Sequence, residues 1–195
     1  MSQDCGYARK RAEEETRMNK IYAWYPSMNG GLSTGHASLD ISFGQGAPLA
    51  DYVSWWPTRD VKLLTGMVPQ PAQLKTFRAD CWDEGGPPPL GAEIRCLDEN
   101  RMRSRWTDIK ARSNYSLYFR TCATTVVDVL CAGGADLSYD VRTYIAHCAL
   151  WTPWDVIQLA RLINTNASVI ERQRNLGWKL EMSVPSFIDL ERSGH

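Results

Sequence analysis

The sequence lacks both a long apolar run and an excess of charge of either sign. A membrane helix needs about 18 consecutive apolar residues, and no window of the 195-residue chain reaches that length. Lysine plus arginine number 22, and so do aspartate plus glutamate. No net field therefore attracts nucleic acid or an anionic membrane, and we expect neither nucleic-acid partners nor stable membrane insertion.

Metal-binding motifs are also missing. The chain has 3 histidines, and it contains no CxxC or HExxH motif. Its 6 cysteines are scattered, without the dense spacing of small disulfide-bonded domains. We expect mostly free thiols and neither a metal nor a cofactor.

The beginning of the chain has no apolar signal-peptide core. We expect the protein to be cytoplasmic, or secreted by a route that needs no signal peptide. The length is sufficient for one domain with a sizeable core, which we assign to residues 20–185. Residues 1–19 are predicted to form a charged helix or arm, and residues 186–195 a flexible tail.

Two strands and a long excursion are predicted in the first half of the domain. In HASLDISF, apolar residues alternate with polar ones from His36 onward, which is typical of a half-buried strand with His36 on its polar face. DYVSWWP (Asp51 to Pro57) predicts a second strand, which we expect to pair antiparallel with the first. Residues 58–90 carry scattered apolar residues and GGPPP, and indicate a long surface excursion that can include one edge strand.

Helices are predicted in the second half. Asp98 can cap ENRMRSRWTDIKAR, and Thr152 can cap the helix that follows in WTPWDVIQLARLIN. TCATTVVDVL predicts a helix that begins at Thr121 or Cys122 and stops near Gly133. The expected fold class is α+β, with a small antiparallel sheet packed against the cysteine-bearing helix.

Cys122 is the strongest candidate for a reactive group. A thiol becomes a nucleophile as the thiolate, which a helix N-terminus and a neighbouring imidazole both favour. The amides of Cys122 and Ala123 would point outward at that helix start and can hold an oxyanion. Arg120, two residues earlier, can hold an anionic substrate group or lower the thiol pKa.

His36 is the predicted base, because it lies in a strand and Gly35 before it permits close approach. A third group must orient its ring. Ser54 is favoured and Asp51 is second, whereas Asp40, about 13 Å along the same strand, is too far away. His147 is a rival base, but its surroundings predict a buried helix or strand.

These segments together resemble a known superfamily. GHASLDI, YVSWWP, SLYFRTCATTVVDVL with AGGAD, and WTPWDVIQLAR, within residues 35–163, follow in the order found in permuted papain-like enzymes, in which histidine precedes cysteine. The superfamily includes lecithin retinol acyltransferase-like and desumoylating isopeptidase-like proteins, and the chain is most similar to its Rho-inactivation-domain toxin branch. The resemblance implies a circularly permuted papain-like catalytic domain over residues 20–185. It also implies that Cys122 is the nucleophile and His36 the base, with Ser54 at the second-strand polar position.

The expected activity is thiol-dependent acyl transfer to water or to an amine. Such an enzyme is a cysteine peptidase or amidase in the first case and an acyltransferase in the second. The expected partner is a protein or acyl substrate, and the toxin-type resemblance implies fatty acylation of a host protein as one option. Two alternatives stay open: an inactive papain-like module that binds a peptide or acylated partner, and a metal-binding module built from the scattered cysteines.

Overall fold

A four-stranded antiparallel sheet lies at the centre of the fold. The structure is a computed structural model, and it describes residues 18–26, 35–43, 51–59, 68–117 and 119–177. The sheet has the order β3-β2-β1-β6, and a separate two-stranded ribbon is formed by β4 and β5. The strands are β1 (Met18–Trp24), β2 (His36–Phe43), β3 (Tyr52–Val53), β4 (Trp56–Pro57), β5 (Ala72–Gln73) and β6 (Leu90–Ile94).

Six helices follow or interrupt these strands in the described residues. They are α1 (Phe77–Asp83), α2 (Glu99–Arg112), α3 (Cys122–Ala132), α4 (Tyr139–His147), α5 (Pro153–Thr165) and α6 (Ala167–Asn175), with a short 3-10 turn at Ala135–Leu137. The predicted caps are confirmed, since Asp98 accepts from the amide of Arg101 and Thr152 from that of Asp155. The predicted α+β class with a small antiparallel sheet is confirmed as well.

The sheet buries two different faces. On one face, alternate residues such as Ile21 and Leu39 join the main apolar core, against which α3 and α5 pack. On the other face, Tyr22, Trp24 and Tyr52 form a second, aromatic cluster. His36 lies on this second face, because it alternates with the core residue Ala37 along β2. The second face of the sheet thus carries the imidazole of His36 as well as aromatic side chains.

Helix α1 covers the second face and was not predicted. Thr76 caps it by accepting from the amide of Ala79. Phe77 packs on Tyr22, with ring centroids 4.7 Å apart. The prediction of a long surface excursion with one edge strand over residues 58–90 is therefore wrong for residues 68–90, which include this helix. That part holds β5, α1 and the start of β6.

Other predictions need smaller corrections. The β2–β3 pairing is confirmed by the Leu39 and Val53 partners, but the predicted strand from Asp51 to Pro57 is broken at Ser54. The charged N-terminal element was expected to extend to residue 19, whereas β1 already begins at Met18 because it pairs with both β2 and β6. Residues 1–17 and 178–195, with the predicted arm and tail, lie outside the described residues. None of the described helices is long and apolar enough to cross a bilayer.

Candidate functional site

His36 occupies a position that only glycine can precede. It is the first residue of β2 and is 1% exposed. Gly35 before it has φ +78°, and a Cβ atom there would lie 2.5 Å from the carbonyl oxygen of Trp24. Trp24 is the strand partner of His36. The backbone of β1 thus approaches too closely for any side chain at residue 35, and this contact fixes where β2 begins.

Replacing Gly35 with alanine should destabilise the protein by about 2 to 3 kcal/mol, since the backbone clash adds to the cost of a left-handed residue. Gly177→Ala is the matched control, because Gly177 has φ +64° and a Cβ atom there would meet no atom of the described residues within 4 Å; it should cost only about 1 kcal/mol. Urea unfolding followed by tryptophan fluorescence measures both. Equal losses in the two variants would show that the Trp24 contact contributes nothing.

The carboxylate of Asp80 contacts four side chains of the site. It lies on α1, is 0% exposed, and receives donors from three directions. Tyr52 donates to Oδ2 at 2.7 Å, and Ser54 and Trp56 donate to Oδ1 at 2.9 and 2.8 Å. The fourth neighbour is His36, whose Nε2 lies 3.3 Å from Oδ2. Burial alone would raise the pKa of Asp80, but the hydrogen bond and charge of His36, followed by the hydrogen bonds from Tyr52 and Ser54, lower it, so the carboxylate stays ionised.

The ring of His36 lies between Asp80 and Cys122. Burial works to lower its pKa, but the charge of Cys122 and hydrogen bonds with Asp80 and Cys122 outweigh burial and raise it to about 9. Ser54 Oγ is 3.4 Å from Nε2, so Nε2 faces Ser54 and Asp80. The opposite nitrogen, Nδ1, is therefore left for the thiol.

Cys122 is the first residue of α3. Thr121 is the N-cap residue, and its side chain and that of Thr124 cap each other's backbone amides. This capping box fixes the start of the helix at the thiol. Cys122 is 8% exposed, and the amides of Cys122 and Ala123 belong to the first turn, where amides have no acceptor within the helix. A thiol, an imidazole and a carboxylate thus follow one another in a buried chain, an arrangement suited to proton transfer and nucleophilic attack.

Tyr115 interacts electrostatically with Cys122. Burial raises the pKa of Tyr115, and the charge of Cys122 raises it further. Tyr115 is held by its backbone, which exchanges hydrogen bonds with Gln70 at 2.8 and 2.9 Å. This pairing ties the segment before α3 to the segment before β5.

The structure brings only some of the predicted site residues together. Ser54 lies beside His36, within reach of its Nε2. Asp51 instead accepts from Nε of Arg103 at 3.1 Å. The guanidinium of Arg120 is directed along α3 to Asp128, 3.1 Å from Nη1, and not to the thiol. Neither Asp51 nor Arg120 is therefore placed in the roles that the sequence suggested.

The rival base, His147, is also placed differently from the prediction. It was expected to be buried, but it is exposed at the end of α4, with Nδ1 2.7 Å from the carbonyl oxygen of Thr143. An exposed histidine near a helix C-terminus can hydrogen-bond a backbone carbonyl of the last turns. Among the described residues, no group of three or more potential ligand side chains is arranged to hold a metal ion.

In a comparison with known protein families, more than half of the chain matches one family model. Residues 74–177 match the family model of the IcsB middle domain. The chain belongs to the IcsB middle domain family. The part matching the IcsB middle domain begins just before α1 and includes Asp80 and Cys122, whereas His36 and Ser54 lie before it. No curated protein and no solved structure matches the chain.

Proposed function

We propose that this protein is a thiol-dependent acyl-transfer enzyme that works through a thioester on Cys122, with His36 as its base. One observation carries the proposal: the buried imidazole of His36 contacts the Asp80 carboxylate and the thiol that begins α3. Burying three such groups in contact costs folding free energy, and groups of this kind cluster at catalytic sites. The family match spans the thiol and the carboxylate but names no reaction.

In the proposed reaction, the thiolate sulfur of Cys122 attacks the carbonyl carbon of an acyl donor while the imidazole carries the thiol proton. The amides of Cys122 and Ala123 stabilise the oxyanion. Collapse of the tetrahedral intermediate breaks the bond to the leaving group, which takes the proton from His36. Water or an amine then attacks the thioester and loses a proton to His36, and the acid or amide leaves with the thiol restored. Asp80 and Ser54 hold the ring throughout.

A circularly permuted papain-like arrangement is the fold that we propose for this chemistry. The histidine strand β2 precedes the cysteine helix α3 in the chain, and α3 packs on β2. The resemblance of these segments to the Rho-inactivation-domain toxin branch supports acyltransferase activity, including fatty acylation of a protein, alongside peptidase or amidase activity. The acceptor of the acyl group determines which of these activities the enzyme has, because the thioester intermediate is common to all of them.

Intact-protein mass spectrometry after brief exposure to acyl-CoA, acyl thioesters and an electrophilic peptide tests the proposal. Wild type should gain one acyl group per chain with loss of the thiol proton, whereas Cys122→Ala and His36→Ala should gain none. Cys131→Ala is the matched control and should acylate like wild type, since Cys131 is a half-buried free thiol at the far end of α3. If wild type gains no adduct from any donor, an inactive module that binds a peptide or acylated partner is the better description.

A further inference from the structure

Trp56 makes directed contacts with both partners of the histidine–carboxylate pair. Its indole ring stacks on the imidazole of His36, with centroids 4.3 Å apart and planes 25° apart. Its Nε1 donates to Oδ1 of Asp80 at 2.8 Å and lies 3.1 Å from Oγ of Ser54. One rigid side chain therefore fixes the plane of the imidazole and the position of the carboxylate together.

A cation also lies over the indole ring of Trp56. The ammonium group of Lys75 lies 3.8 Å from the ring centroid and is held there by Asp83 at 2.7 Å. A cation over an indole face is attracted to the ring. Lys75 lies two residues before α1, the helix that carries Asp80, and Asp83 is the last residue of that helix. The segment that supplies the carboxylate thus also places a cation over the ring of Trp56.

A tryptophan that only filled space would need none of these directed contacts. Trp55, the neighbouring residue, illustrates packing of that kind: it is buried against Trp106 in the main core, and its Nε1 has no hydrogen-bond partner among the described residues. Trp56 is only partly buried, yet its Nε1 lies within hydrogen-bond distance of two acceptors. The two adjacent tryptophans therefore have different roles.

We propose that Trp56 is a positioning residue of the thiol site, which holds the His36 ring between Asp80 and Cys122, and that Lys75 supports it from outside. This inference rests on the proposed function, because it assigns the role of a side chain within that site. The directed contacts of Trp56 are with His36, Asp80 and Ser54, so its effect on Cys122 passes through His36 and Asp80.

The test compares three variants by two measurements that need no acyl donor. Trp56→Phe keeps a ring but removes the Nε1 donor, Trp56→Leu removes both, and Lys75→Met removes the outer cation. The first measurement is the rate of Cys122 alkylation by iodoacetamide as a function of pH, read by intact mass. The second is the titration of the His36 ring by NMR. Trp154→Leu and Lys110→Met are matched controls: Trp154 is an exposed tryptophan on α5, and Lys110 lies over the ring of Trp106.

Trp56→Leu should alkylate at least about tenfold more slowly than wild type at pH 7, and the His36 titration should move toward its ordinary range. The alkylation rate of Trp56→Phe should lie between those of Trp56→Leu and wild type. Lys75→Met should show the smallest loss of rate, and the controls should match wild type. A Trp56→Phe variant with the wild-type alkylation rate and the wild-type His36 titration would overturn the proposal. If Trp56→Leu does not fold, Trp56→Phe alone serves as the test. If Cys122 proves inert in wild type but the His36 titration still moves in the Trp56 variants, the positioning role stands while the proposed function fails.

Discussion

Replacing Asp80 with asparagine is expected to slow acylation of Cys122 by about 10² to 10⁴-fold. The substitution preserves size and removes the charge. Four donors converge on the carboxylate, from Tyr52, Ser54, Trp56 and His36. An amide has one oxygen to accept them, and its own NH₂ group would face at least one of them. The His36 ring would then lose its anionic partner and its fixed orientation.

Asp51→Asn is the matched control for Asp80→Asn. Asp51 pairs with Arg103 at 3.1 Å, so its loss should affect stability by about 0 to 1 kcal/mol and leave the acylation rate near the wild-type value. The rates come from single-turnover acylation followed by intact mass, and thermal unfolding checks that each variant is folded. Either of two results would show that Asp80 is not the carboxylate that orients His36. One is a folded Asp80→Asn variant with the wild-type acylation rate, and the other is a large loss of rate in Asp51→Asn alone.

The strand that carries His36 and the helix that begins at Cys122 could be predicted because both have local signals. Alternation of apolar and polar residues defines β2, and Thr121 followed by an apolar run defines the start of α3. Each signal lies within about ten residues of sequence, and neither depends on distant contacts. The two candidate reacting groups were therefore identifiable from the chain alone.

Asp80 was missed because nothing local distinguishes it. Helix α1 has only seven residues, and its apolar side chains do not form one buried stripe: Trp82 is 86% exposed. Its position depends on Phe77 packing against the aromatic face of the sheet, a contact between residues far apart in sequence. Tertiary packing of this kind overrides weak local propensity. Thr76 as a cap was the available signal, and it is too common to identify a helix alone.

The choice of Asp51 as the second candidate for orienting His36 could have been corrected by strand geometry. Side chains alternate along a strand, and Tyr52 faces the site, where it contacts Ser38 and Asp80. Its neighbour Asp51 is therefore directed away from His36. Ser54, the favoured orienting residue, lies 3.4 Å from Nε2 of His36, although the chain leaves the regular strand at that residue.

The free energy of unfolding should fall as the pH rises from about 6.5 to about 9, by up to about 3 kcal/mol. Cys122 and Asp80 raise the folded-state pKa of His36 to about 9 against the effect of burial, whereas the unfolded chain has the ordinary histidine pKa of about 6.5. The folded protein binds this proton more tightly than the unfolded chain does. The stabilisation is therefore fully present below pH 6.5 and is lost as the pH passes through the folded pKa.

Urea unfolding of wild type and His36→Gln between pH 6 and pH 10 measures this contribution as the difference between the two curves. His147→Gln is the matched control, since His147 is exposed, and its curve should parallel that of wild type. A constant difference between wild type and His36→Gln across the range would mean that His36 is not held protonated by its neighbours. The test needs no substrate, so it examines the electrostatic basis of the site independently of whether any acyl donor is accepted. A protonated His36 at neutral pH is also the acid that the leaving group requires in the proposed reaction, which links this stability curve to the mechanism.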